Sequence, residues 1–127
     1  MARQRFDHER LEVYRRAVDV YADCTSLAAA VPTLHRSMAW QLLRAAGSVP
    51  LNIAEGTAEV HPLERARFYR IALRSVAETG AAIEILRRVD VVPAAAAAET
   101  RGNLLSLSAM LTALIGATRK KPRLDSR

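Results

Sequence analysis

The polar residues best placed to do chemistry fall on one line of a helical repeat. Gln41, Arg44, Ser48, Asn52, Glu55 and Glu59 are separated by 3, 4, 4, 3 and 4 residues, the spacing that keeps side chains on one side of an α-helix. Ser75 and Glu78 stand three apart further along. Asn52, Glu55, Ser75 and Glu78, with Arg44 as counter-charge, would form a hydrogen-bonded set between two helices, a structural duty rather than a catalytic one. The plainer alternative is a solvated face opposite a core stripe. Two details weigh against it. Ser48 and Asn52 are poor choices for a freely exposed helix interior, and Trp40 and Leu51 flank the line, so this helix is apolar over more of its surface than one core requires. Trp40, Gln41, Arg44, Ser48, Leu51, Asn52, Glu55, Ser75 and Glu78 are therefore the candidate oligomer interface or polar network.

Other chemistries find little support. A carboxylate-bridged metal pair in a helical bundle needs Glu-x-x-His on two helices, and no Glu-x-x-His occurs. His61 and Glu64 have the reversed spacing across a proline, while His8 and His35 are isolated. Cys24, the one cysteine, has no partner for a disulfide and no adjacent histidine, which fits a buried structural thiol in a reducing cytoplasm. The five glycines, at 47, 56, 80, 102 and 116, form no phosphate loop. We therefore expect no catalytic residues, no metal, no cofactor and no enzyme.

Charge is one-sided. Residues 1–60 hold seven Arg against seven Asp and Glu, whereas residues 61–127 hold twelve Arg and Lys against six, so the whole formal excess of +6 lies in the second half. Seventeen of the nineteen basic residues are arginine, the mark either of bidentate phosphate contacts or of a GC-rich genome. At 100° per residue Arg67, Arg70, Arg74 and Arg88 fall within about one sixth of a helix circumference. With Arg119, Lys120, Lys121 and Arg123 they make a candidate nucleic-acid-binding surface. The alternative is a solvated face with local ion pairs to Glu64, Glu78 and Glu84. No aromatic residue interleaves with these arginines, so binding of RNA or DNA would be mainly electrostatic and weakly sequence-specific.

Four periodic segments must position these residues. After Asp7, a candidate N-cap, Leu11, Tyr14, Val18, Tyr21, Thr25 and Ala28 recur every three or four residues until Pro32. A second run from about Leu34 aligns Ala39, Leu42, Ala46, Val49 and Ile53, with Gly56 as a late cap and with Pro50 predicting a kink or break. Pro62 opens a third run through Phe68, Ala72, Ser75, Thr79, Ile83 and Leu86. Pro93 opens a fourth through Leu104, Leu107, Leu111, Leu114 and Thr118. Short links between such helices predict an all-α, antiparallel up-and-down four-helix bundle over residues 1–121, followed by a basic tail at 122–127. The charged N-terminus has no signal-like apolar stretch and no run suits a membrane span. A soluble, unprocessed cytoplasmic protein without a membrane partner is expected.

The run Arg44-Ala45-Ala46-Gly47-Ser48-Val49-Pro50-Leu51-Asn52-Ile53-Ala54-Glu55-Gly56 resembles the signature RAA-x-S-(I/V)-P-x-N-I-A-E-G of the 23S rRNA-intervening sequence protein family of bacterial four-helix bundles. Phe68-Tyr69-Arg70-Ile71-Ala72-Leu73-Arg74-Ser75-Val76-Ala77-Glu78 is similar to that family's helix-three pattern, and Leu11-Glu12-Val13-Tyr14 to its helix-one opening. The resemblance covers residues 6 to about 121. Arg74 departs from it, standing where the family commonly has a small residue before the serine.

The resemblance implies a cytoplasmic bundle that assembles as a homopentamer and has no assigned enzymatic activity. It also implies a fold shared with accessory proteins of diversity-generating retroelements, which work with a reverse transcriptase and nucleic acid. Fold alone does not fix function. A nucleic-acid-associated oligomer, in an RNA-binding or reverse-transcriptase accessory role, is therefore weighed against an oligomeric protein scaffold that binds no nucleic acid.

Overall fold

The computed structural model describes residues 4–120. A short 3-10 turn at Asp7–Arg10 precedes four α-helices, α1 (Glu12–Ala29), α2 (Arg36–Ala58), α3 (Pro62–Arg88) and α4 (Ala94–Lys120), with a second 3-10 turn at Thr33–His35. No strand occurs among the described residues. Each helix packs on its neighbours in chain order and α4 closes back on α1, the arrangement of an antiparallel up-and-down bundle. The pair α2 and α3 is the most extensively packed, and α1 with α4 the least.

The core is built mainly of small and branched side chains. Ala39, Leu42, Ala46, Val49 and Ile53 of α2, Ala72, Ser75, Thr79, Ile83 and Leu86 of α3, and Leu104, Leu107 and Leu111 of α4 are all buried, as their periodicity predicts. Tyr69, fully buried, takes the place expected of Phe68, which is only partly covered. Its phenol lies 2.9 Å from Thr57 Oγ1, so the buried oxygen has a partner. The α3–α4 link turns through Asp90 at φ 60°. There Asp90 N–H donates to Arg87 O and Val91 N–H to Leu86 O, the paired bonds of a left-handed helix cap.

Four expectations need correction. Asp7 does not cap α1: the chain is extended at Leu11, and the preceding turn closes on itself through Phe6 N–H to Glu9 Oε1 at 2.8 Å. The core line of α1 is Val13, Ala17, Val20, Cys24 and Leu27, not the line through Val18 and Tyr21, which are 40% and 38% exposed. Two apolar lines run side by side on this helix, and the smaller residues of the buried one fit the narrow bundle interior. Gly56 is not a terminal cap but lies inside α2, which continues to Ala58. Of the kink or break expected at Pro50, the break does not occur, since α2 runs through it as one element.

Candidate functional site

The polar line lies where α2 meets α3. Asn52 Nδ2 donates to Ser48 O at 2.8 Å and to Ser48 Oγ at 2.9 Å, while Ser75 Oγ reaches across from α3 to donate to Ser48 Oγ at 2.9 Å. Ser75 is buried and Ser48 and Asn52 are half-buried, so the cluster satisfies its own hydrogen bonds inside the helix pair. At its rim Arg44 Nη2 donates to Gln41 Oε1 at 2.7 Å and stands 3.7 Å from Glu78 Oε2. That ion pair is long and its side chains are 74% and 52% exposed, so screening by water leaves it little energetic weight. Glu55 is exposed and joins no hydrogen bond or ion pair among the described residues. Of the expected set, Asn52 and Ser75 meet through Ser48, Arg44 faces Glu78 at the rim, and Glu55 stands apart.

Two further contacts tie the end of the signature run to α3. A Cβ at Gly56 would lie 2.7 Å from Tyr69 Cε1 and 3.1 Å from Arg65 O, so glycine is what lets the tyrosine ring cross α2. Arg65 Nη1 donates to Thr57 O and Glu59 O at 3.2 and 3.1 Å, covering carbonyls at the end of α2.

The opposite flank of α2 is different in kind. Val18 and Tyr21 of α1 and Leu43, Gly47, Pro50 and Leu51 of α2 line an open groove of about 570 Å³, with Arg44, Ser48 and Asn52 along one edge. Leu51 is 69% exposed and Trp40, beside an adjoining hollow, is 70% exposed. Gly47 shapes the floor: a Cβ there would lie 3.3 Å from Tyr21 Cε1. Val18 and Tyr21 are the residues that the helix-one pattern placed in the core. The signal for the groove was present in the sequence and pointed to the wrong compartment.

The polar cluster holds no activated nucleophile among the described residues. The hydroxyls of Ser48 and Ser75 face each other with no imidazole or carboxylate bonded to either among the described residues, so neither has a base to activate it. Cys24 is buried and its thiol is pushed up to about 12, by burial first and the neighbouring Asp23 second, which suppresses the nucleophilic thiolate. The described residues contain no cluster of three or more His, Cys, Asp or Glu able to hold a metal. None of their helices is long and apolar enough to cross a membrane.

The arginine line divides. Arg67 Nε lies 3.0 Å from both Glu64 oxygens, and its guanidinium sits 4.6 Å from the centre of the Phe68 ring. An aromatic residue does therefore accompany the line at that end. Arg70, Arg74 and Arg88 are exposed and form no ion pair among the described residues. Arg74 points outward and leaves the α2–α3 seam undisturbed. Arg119 is exposed near the end of α4. The side chain of Lys120, and Lys121 and Arg123 altogether, lie outside the described residues.

A family model described as 23S rRNA-intervening sequence protein matches residues 9–113. The chain belongs to that family. No curated protein matches it. Among solved structures the chain is similar to a protein of unknown function from the S23 ribosomal protein family of Bacteroides thetaiotaomicron VPI-5482, with a TM-score of 0.74 at 19% identity. The match covers 81% of this chain and 97% of that one. At that identity the likeness establishes the shared fold. Neither the intervening-sequence family nor this structural relative is described as an enzyme.

Proposed function

We propose that the protein is a non-enzymatic four-helix bundle that assembles with copies of itself through its α1–α2 face and binds nucleic-acid phosphates through the outer face of α3. The observation that carries the first half is the apolar groove lined by Leu51, with Trp40 over the adjoining hollow, the two side chains 69% and 70% exposed. A helix with a complete core face has no folding use for a second apolar face, and an apolar patch of this kind marks a docking surface. Protruding side chains and hollows occur together on that face. Entry of one copy's protruding side chains into the next copy's hollow would be a head-to-tail contact, the kind that closes into rings. The homopentamer implied by the family resemblance is an assembly of this type.

The second half rests on Arg70, Arg74 and Arg88, exposed and free of ion pairs among the described residues. Helix α3 stands diagonally across the bundle from α1, so assembly through the α1–α2 face leaves this line open. A ring repeats it in every subunit, and linked weak contacts to one polyanion gain by effective concentration.

Light scattering on wild type and on Leu51→Glu tests the assembly. A multimer that falls to monomer mass in the variant, with helicity kept, is expected; a monomeric wild type at tens of micromolar overturns it. Salt titration of RNA binding by wild type and by a variant with Arg70, Arg74 and Arg88 changed to glutamine tests the basic face. The variant should bind more weakly with a flatter dependence on salt, because each phosphate contact contributes about 0.9 to the slope on B-DNA and about 0.7 on single strands. Equal slopes would place the binding surface elsewhere. No binding at about 50 mM salt, where such contacts are strong, leaves the protein scaffold as the function.

A further inference from the structure

We infer that the N-terminal turn is a stacking site for an unpaired nucleobase carrying a phosphate. Three rings stand in series there. Phe6 lies parallel to His8, with centroids 5.5 Å apart and planes 9° apart, and His8 meets Tyr14 of α1 at 4.6 Å. The turn that holds them is fixed: Phe6 N–H donates to Glu9 Oε1 at 2.8 Å, Glu9 N–H to Phe6 O at 3.0 Å, and Arg15 Nη1 to Glu9 O at 3.0 Å. Yet Phe6 is 73% exposed. Phenylalanine is among the side chains that gain most from burial, so the chain orders this ring and leaves it in water.

What surrounds the ring identifies the ligand. An open hollow of about 840 Å³ lies against it, walled by Gln4, Arg5, Glu9 and Arg10 around the aromatic series, a size suited to a small ligand or one unit of a polymer. Of the nearby acids, Glu9 is engaged by Phe6 N–H and Glu12 pairs with Arg16 at 2.9 Å. Asp7 and Glu9, which keeps its charge while accepting from Phe6 N–H, then stand against Arg5, Arg10 and Arg15, all three exposed and without an ion pair among the described residues, so cations outnumber carboxylates at the hollow. An open aromatic face beside two guanidiniums matches a base and its phosphate, because every base has a π-face and the arginine fork fits phosphate oxygens. Within a duplex both faces of a base are covered by its stacked neighbours, so the ring favours an unstacked base over the duplex interior. The site stands at the start of α1, diagonal to α3, and it requires neither the α3 arginines nor self-assembly.

The ligand has two sources, a free nucleotide or a single strand, and both are used as probes. A short single-stranded oligoadenylate is titrated by fluorescence anisotropy. Adenosine monophosphate is followed by the aromatic proton resonances of the full chain. Phe6→Ala should weaken binding of the responding probe by about fivefold or more, the low end of base–aromatic stacking, and Phe6→Trp should retain it. Because Phe6 is exposed, both variants should melt like wild type. Response to the oligomer alone assigns the site to single strands, and response to the mononucleotide at similar concentration assigns it to nucleotides. The inference is overturned by equal affinity of wild type and Phe6→Ala, by silence of both probes, or by a fall in assembly mass in Phe6→Ala, which would mean the ring is covered by another copy. Loss of binding in the α3 glutamine variant with none in Phe6→Ala would leave the α3 surface standing and remove the stacking site.

Discussion

Between α2 and α3 the chain leaves no spare room. Gly56 lets Tyr69 lie against the α2 backbone, Ser48 and Ser75 share a hydroxyl contact, and Arg65 covers the last carbonyls of α2. Between α2 and α1 the side chains stop short and a groove opens under Tyr21, Pro50 and Leu51. The same run of α2 residues faces both ways, with Asn52 bonded within the seam and also lining the groove edge. The residues that carry the family resemblance thus serve mostly to fix one helix pair, and the surface left for a partner is built from ordinary apolar side chains beside them.

Filling the tight seam should have the largest effect on folding. Gly56→Ala places a Cβ against a fully buried ring and a backbone carbonyl, an overpacking that costs about 1–3 kcal/mol. Denaturant melts should show that loss, and a variant as stable as wild type would mean the seam is softer than its geometry. The same methyl at Gly47 meets only the edge of Tyr21 at 3.3 Å. Gly47→Ala should therefore be milder, and a reversed order would break the contrast between the two sides of α2.

The Cys24 thiol gives a pH test of core burial. Its value is raised from 9.0 to about 12, so above about pH 9 the unfolded chain ionises while the folded one does not. Stability is fully present below that pH and declines as pH rises towards 12, by up to about 1.4 kcal/mol per unit. Urea unfolding of wild type and Cys24→Ala over this range isolates the effect as a difference in slope. Parallel slopes would place the thiol nearer to solvent than its neighbours indicate.

The polar cluster can be sharpened by pairing two substitutions. Asn52→Ala removes the two bonds that Asn52 Nδ2 donates to Ser48 and should cost about 1 kcal/mol. Glu55→Ala, one helical turn away and exposed, should change stability by less than about 0.5 kcal/mol. A larger loss at Glu55 in the assembled protein than in a monomeric Leu51→Glu background would transfer that residue to an interface. An effect of opposite sign is expected at the α3–α4 link, where Asp90→Gly relieves a left-handed φ of 60° and should stabilise the fold by up to about 1 kcal/mol, read as a higher melting temperature.

Much of this molecule is determined by the sequence alone. Three of the four core lines follow from three-four spacing, and Pro62 and Pro93 mark the helix starts, because proline lacks an N–H that a first turn does not need. The thirteen-residue run also announces the family that the match over residues 9–113 establishes. Pattern could not decide which of two parallel apolar lines on α1 turns inward. Spacing is identical for Val13, Ala17 and Val20 and for Tyr14, Val18 and Tyr21, and only the narrow gap between helices selects the smaller set. Nor could it decide that Ser48 rather than Glu55 meets Ser75, or that Phe6 stays in water, since each depends on distances across elements remote in the chain. Local periodicity fixes the helices; which faces are occupied is set by close packing, which no single helix contains.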